Sequence, residues 1–184
     1  MWLLILGLLV WSGAHLFKRL APDARARLGD PGKGLVALLL AASVVMMVLG
    51  YRWAETVYLW QPPEWTRHLN NLLMVLSFYL FALSGPKGAK PWLGTKVRHP
   101  QLSAVIVFAV AHLLVNGQTK AIVLFGGLLV WAVAEVAIIN RQDGPWTPPP
   151  RAPVAKEVST AVITLVVLAV VIAIHGWVGP WPVG

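Results

Sequence analysis

Five histidines and one glutamate are the residues of this sequence best able to carry chemistry: His15, His68, His99, His112, His175 and Glu135. Imidazoles ligate transition metals and exchange protons near neutral pH. A carboxylate beside one can hold its second nitrogen, fix its tautomer and raise its basicity. Cysteine is absent, which removes disulfides, thiolate zinc sites, iron–sulfur clusters, thiolate-ligated haem and the C-x-x-C-H haem attachment together. Any cofactor must be held by His, carboxylate or backbone.

The elements that carry these side chains are membrane spans. The chain has 184 residues, 58% hydrophobic and 12% charged, with a mean hydropathy of +0.70. Soluble domains are about half apolar and about a quarter charged. The fold class is therefore all-α integral membrane. A bilayer core of about 30 Å needs about 20 apolar residues in a helix, and six stretches come near that: 2–17, 34–51, 68–84, 101–115, 121–140 and 158–178. They predict a polytopic bundle of about six transmembrane helices forming a single membrane domain over residues 1–184. The N-terminal run has no positive segment before it and no small-residue cleavage site after it, so it is expected to stay as the first span.

The basic residues orient the bundle. With six spans and both termini on the outer side, the inner loops hold Lys18, Arg19, Arg25, Arg27, Lys33, Lys87, Lys90, Lys96, Arg98, Arg141, Arg151 and Lys156, and the outer segments hold only Arg52, Arg67 and Lys120. That is a strong positive-inside bias. The net charge of +8 is thus read as a face for anionic lipid headgroups, with no nucleic-acid partner. Trp2, Trp53, Trp60, Trp65, Trp92, Trp146, Trp177 and Trp181 fall at or beyond helix ends as an interfacial belt. The run GPWTPPPRAP at 144–153 breaks any helix, because proline lacks the N–H and restricts its predecessor. Residues 144–157 are expected to form a stiff inner linker between spans five and six. Asn116-Gly117 reads as a helix end, and Gly126-Gly127 or Gly176 could permit close helix contacts. The sequence leaves oligomeric state open.

Depth then sorts the chemistry. His15, His99 and Glu135 fall toward the inner leaflet, Glu135 about 9 Å from Arg141 along its helix at 1.5 Å per residue. His68, His112 and His175 fall toward the outer one. Two imidazole nitrogens on opposite sides of one iron stand about 4 Å apart when each bond is near 2 Å. His99 and His112 are separated by roughly 20 Å of helix and cannot share an iron. His15 with His99 can, and so can a pair from the outer group. Each histidine also has an ordinary reading: His15 joins the basic belt beside Lys18, His99 starts a helix before Pro100, His112 bonds a neighbouring helix, and His68 and His175 are solvated. Glu135 needs a partner at its depth, with Arg141, His15 or His99 in range.

Several strings together resemble the NnrU family of membrane proteins: LWQPPEWTRHL at 59–69, VRHPQL at 97–102, AHLLVNG at 111–117 and LFG at 124–126, with early His15, Leu28-Gly29, Lys33-Gly34-Leu35 and Arg141. The resemblance covers essentially the whole chain. It implies an association with nitrite and nitric oxide reduction in denitrification, and a relation to the haem-dependent 15-cis-zeta-carotene isomerases. In that isomerase group a haem b is held by an early His motif and by R-H-P-Q, which correspond to His15 and His99 here. Glu135 would orient one imidazole, and Arg98 and Lys96 would meet the haem propionates. The R-H-P-Q string, where many NnrU-like sequences carry K-H-P-M, leans toward the isomerase side. The resemblance further implies a bacterial inner membrane, and a nitrogen oxide or small apolar molecule as substrate. Two other readings stay open. One is a non-enzymatic accessory to a respiratory reductase. The other is an S-adenosylmethionine binder similar to the isoprenylcysteine methyltransferases, although Asn140-Arg141-Gln142-Asp143 lacks their paired glutamates.

Overall fold

The computed structural model describes residues 1–85 and 88–183; Lys87 of the inner basic set lies outside the described residues. Seven helices are present among them: α1 (Trp2–Leu20), α2 (Pro22–Arg27), α3 (Pro31–Trp53), α4 (Trp65–Ser84), α5 (Pro100–Val115), α6 (Thr119–Asp143) and α7 (Val154–Val178). Every apolar stretch of the sequence is a helix, extended by up to four residues into its polar flanks. Helix α2 has no apolar run to announce it. It forms because Pro22 suits the first helical position and Asp23 and the pair Arg25 and Arg27 match the two poles of the helix dipole. Helices α1, α3, α6 and α7 are long and apolar enough to cross a membrane, and α5 is apolar but shorter. The chain is a helical integral membrane protein.

The contacts divide it into two units. The first comprises Met1–Gln61 with Asn116–Gln142, and the second Pro62–Val115 with the chain from Asp143 onward. In the first unit Leu4, Leu8 and Met47 form a buried core, with Trp11, Tyr51, Val123, Leu124 and Leu128 packed on it. Helices α1 and α3 cross at glycines. A Cβ on Gly7 would lie 2.9 Å from the Met47 nitrogen, and one on Gly50 would run into the Leu4 backbone. Lipid is as apolar as leucine, so such helices gain by close packing rather than by leaving water, and small residues permit it. Gly127 likewise meets Leu8, whereas Gly126 faces open space. The segment before α6 pairs with the one after α3: the Leu59 N–H donates to the Gly117 carbonyl at 2.8 Å and the Thr119 N–H to the Val57 carbonyl at 2.9 Å. Gly117 lies against the Trp60 carbonyl with no room for a Cβ, which accounts for a glycine after Asn116.

In the second unit α4 packs on α5 and α7. Leu80, Leu83 and Ala104 are its core, and the Ser77 hydroxyl donates to the Ala104 carbonyl at 2.9 Å. The Pro-rich segment does more than separate two spans. Proline lacks a donor but keeps its acceptor, and the Lys90 N–H donates to the Pro150 carbonyl at 2.9 Å while the Ala152 N–H donates to the Lys90 carbonyl at 2.7 Å. The Lys90 ammonium caps the last turn of α4 at the Leu83 carbonyl, 2.8 Å away. Burial, and then the neighbouring Lys156, hold it below the usual lysine range. The Lys156 ammonium donates to the Ala89 carbonyl at 2.7 Å.

Glu157 closes this clasp. Its Oε1 accepts from the Trp92 N–H at 2.6 Å, its Oε2 from the Tyr79 hydroxyl at 3.4 Å, and Arg151 Nε stands 3.7 Å away. The Trp92–Thr95 turn, a single 3-10 turn, is thereby tied to α7. Hydrogen bonds to a charged group contribute about 1.5–3 kcal/mol. Glu157→Ala is therefore expected to cost about 2 kcal/mol, while Glu157→Gln, which keeps an acceptor oxygen, costs clearly less. Unfolding midpoints in detergent measure both; coincident midpoints for wild type and Glu157→Ala would mean the clasp is idle.

Candidate functional site: oriented imidazoles in each unit

In the first unit the site is built on one face of α1 and its packing against α6. His15 follows Trp11 by one helical turn, so both side chains lie on the same face. The His15 Nδ1 stands 3.0 Å from the Trp11 carbonyl oxygen. A carbonyl only accepts, so Nδ1 carries the proton and the neutral ring holds its lone pair on Nε2. The imidazole is sandwiched: its centroid is 4.2 Å from the Trp11 ring and 4.7 Å from Trp131 of α6, and the two indoles meet edge-on at 5.3 Å. Trp131 is 5% exposed. The indole Nε1 atoms of both Trp11 and Trp131 are buried without a hydrogen-bond partner. Glu135 sits one turn beyond Trp131 on α6, half-buried.

The second unit carries His99, Arg98, His112 and His175. His99 immediately precedes α5, and its carbonyl accepts the Ser103 N–H at 2.8 Å, with Pro100 as the first helical residue as expected. Arg98 Nη1 donates to the Gly144 carbonyl at 2.7 Å. Gly144 adopts φ of 66°, the left-handed geometry that ends α6, and Arg98 thus fastens the start of the Pro-rich segment. His112 repeats the arrangement of His15. Its Nδ1 meets the carbonyl of Phe108, one turn earlier, at 2.9 Å, and the two rings lie against each other, tilted by 41° with centroids 4.1 Å apart. His175 Nδ1 meets the Pro180 carbonyl at 2.8 Å.

His112 and His175 line one cavity of about 230 Å³ with Asn70, Asn71, Phe78 and Phe108. His68, grouped with them by depth, is exposed on α4 and is not among the lining residues. The outer trio is thus a pair. Within the first unit, His15 and Trp131 are brought together on the face that also carries Glu135. Asn70 is 9% exposed; its Nδ2 donates to Asn71 Oδ1 at 3.4 Å, and its own Oδ1 is buried with no partner.

Four residues at these sites escaped the sequence reading. Trp11 and Trp131 are the two tryptophans outside the interfacial belt, and that position, with the Trp11-to-His15 spacing of one turn, was a usable signal. Asn70 and Asn71, adjacent amides inside an apolar helix, were another. Gly127 and Gly176 do serve close contacts, but with this chain's own Leu8 and Trp181.

Among the described residues no three His, Asp or Glu side chains are grouped to hold a metal ion. A bare ion wants about four protein ligands, whereas haem iron, held in its macrocycle, needs only one or two. Helices that suit a bilayer and imidazoles oriented by backbone carbonyls one turn earlier define a helical integral membrane protein with histidines held in fixed orientations on its helices. The chain belongs to the NnrU family, described as NnrU protein, whose profile matches residues 3–182. No curated protein and no solved structure matches it.

Proposed function

We propose that this NnrU-family protein crosses a bacterial cytoplasmic membrane six times, with both termini outside, and binds one b-type haem near the cytoplasmic face. Helices α4 and α5 complete the six spans. Sixteen residues of α5 reach about 24 Å, a shortfall that a locally thinned bilayer or snorkelling flanks absorb. The Lys and Arg asymmetry sets the orientation.

The observation that carries the haem reading is His15. Its Nδ1 is committed to the Trp11 carbonyl, which leaves Nε2 as the ligating nitrogen in the manner of metal-bound histidines. The flanking indoles restrict the ring to one orientation. His99 is the second ligand implied by the R-H-P-Q resemblance. Lys96 and the guanidinium donors of Arg98 not given to Gly144 would meet propionates. Held by both His15 and His99, the haem would supply electron-transfer chemistry; held by one of them, it would offer its iron to a nitrogen oxide or a polyene double bond. Either chemistry suits a family linked with nitrogen-oxide metabolism and haem-dependent isomerisation.

The test is a reduced-minus-oxidised spectrum of detergent-purified protein. Wild type is expected to show a haem b band that His15→Ala abolishes and His99→Ala weakens or abolishes. A band unchanged in both variants eliminates the site; if His112→Ala alone removes it, the iron belongs to the second unit.

A further inference from the structure

The cavity beside Asn70 is separate from the His15 site and takes no part in the haem reading. It lies one turn inside the ends of three helices: Asn70 and Asn71 near the start of α4, His112 near the end of α5, His175 near the end of α7. That depth is the edge of the hydrocarbon layer, where amphipathic molecules keep their polar heads. The walls are largely apolar and include the rings of Phe78 and Phe108.

One polar atom there lacks a partner, and it is an acceptor. Asn70 Oδ1 is buried with no partner, in a side chain more than nine-tenths buried, and buried polar atoms in native proteins almost always find one. His175 commits Nδ1–H to the Pro180 carbonyl, so in its neutral form the ring carries its lone pair on Nε2. A ligand that satisfies Asn70 Oδ1 must therefore donate a hydrogen bond. It must be uncharged, because burying an unpaired charge is costly. Aromatic walls favour an aromatic ring. A volume of about 230 Å³ lies below the range of about 300–1,000 Å³ for drug-sized ligands, which leaves room for one ring and excludes a fused sterol.

We propose that Asn70 and His175, in a cavity whose wall includes His112, bind the hydroxylated ring of a membrane-dissolved hydroquinone, its hydroxyls donating to Asn70 Oδ1 and to His175 Nε2. A fatty acid brings a charge and one polar end. The oxidised quinone has carbonyls where the hydroquinone has hydroxyls, and it offers no donor to Asn70 Oδ1. The site consequently distinguishes the two redox forms by hydrogen-bond polarity alone.

Calorimetric titration of the detergent-purified protein tests this, using a short-tailed ubiquinol kept reduced under anaerobic conditions and the matching quinone, each against empty micelles. The ubiquinol is expected to bind at least tenfold more tightly than the quinone, a difference of about 1.4 kcal/mol. Asn70→Leu and His175→Phe are each expected to weaken ubiquinol binding about tenfold and to narrow the preference between the forms. His15→Ala leaves it unchanged, so failure here and failure of the haem reading are told apart. Heat no greater than that of micelles, equal affinity for both forms in wild type, or unaltered ubiquinol affinity in both variants overturns the proposal. The comparison of redox forms needs no variant and decides the matter even if Asn70→Leu does not fold.

Discussion

Gly50→Ala is expected to destabilise the first unit by about 1–3 kcal/mol, the usual cost of overpacking a tight contact, although alanine is the better helix former by about 1 kcal/mol. The two effects oppose each other, and geometry decides which wins. A Cβ at residue 50 meets the main chain of Leu3 and Leu4, which has no side-chain torsion with which to step aside. Relief therefore requires α1 and α3 to part, and that loosens Leu4, Leu8 and Met47 together. Gly34, in the same helix, has nothing within 4 Å of its would-be Cβ. Gly34→Ala should thus be neutral or stabilising by up to about 1 kcal/mol. Denaturation of the two variants side by side in one detergent measures the difference directly. Should Gly50→Ala prove as stable as Gly34→Ala, α1 and α3 do not cross as closely as Gly7 and Gly50 require.

The helices were legible in the sequence because lipid imposes a length: apolar runs near 20 residues have few other uses. Their ends were less so, since helix formation does not stop where hydropathy does. α1 continues through Lys18 and Arg19, and α3 begins three residues before its apolar run, at Pro31, a residue suited to a helix start. The short α2 and the Trp92–Thr95 turn leave no periodic signal at all. For the candidate sites, residue types and depth were readable but direction around the helix axis was not. A rise of 1.5 Å per residue fixes depth, and on that basis His68, His112 and His175 fell together. Which way each points depends on neighbours that sequence spacing does not supply, and so His68 lies exposed on α4 while His112 and His175 share a cavity. Tryptophan was read by its position at the interface, which fits most of them and obscures the two that enclose His15. Proline in the 144–153 run was read for the donor it lacks. The acceptor it keeps, at Pro150, together with the Ala152 N–H, joins that segment to Lys90.

Those two tryptophans give the second large effect. Trp131→Ala removes a side chain 5% exposed that packs on both Trp11 and His15, and a buried Trp→Ala change costs about 3–5 kcal/mol. Trp131→Phe should cost far less than its loss of volume suggests. The indole N–H has no hydrogen-bond partner, and an unsatisfied buried donor costs about 1–3 kcal/mol; phenylalanine removes that donor while keeping an aromatic edge toward Trp11. The expected order is wild type close to Trp131→Phe, and both well above Trp131→Ala, by unfolding in detergent. On the haem reading the same pair separates packing from ligation, because Nδ1 of His15 is held by the Trp11 carbonyl and not by Trp131. The difference spectrum is then retained in Trp131→Phe, and in Trp131→Ala it broadens as the imidazole gains a gap on one side. If phenylalanine proves as damaging as alanine, the indole N–H has a stabilising acceptor in the folded protein, and the reading of it as an unsatisfied donor fails.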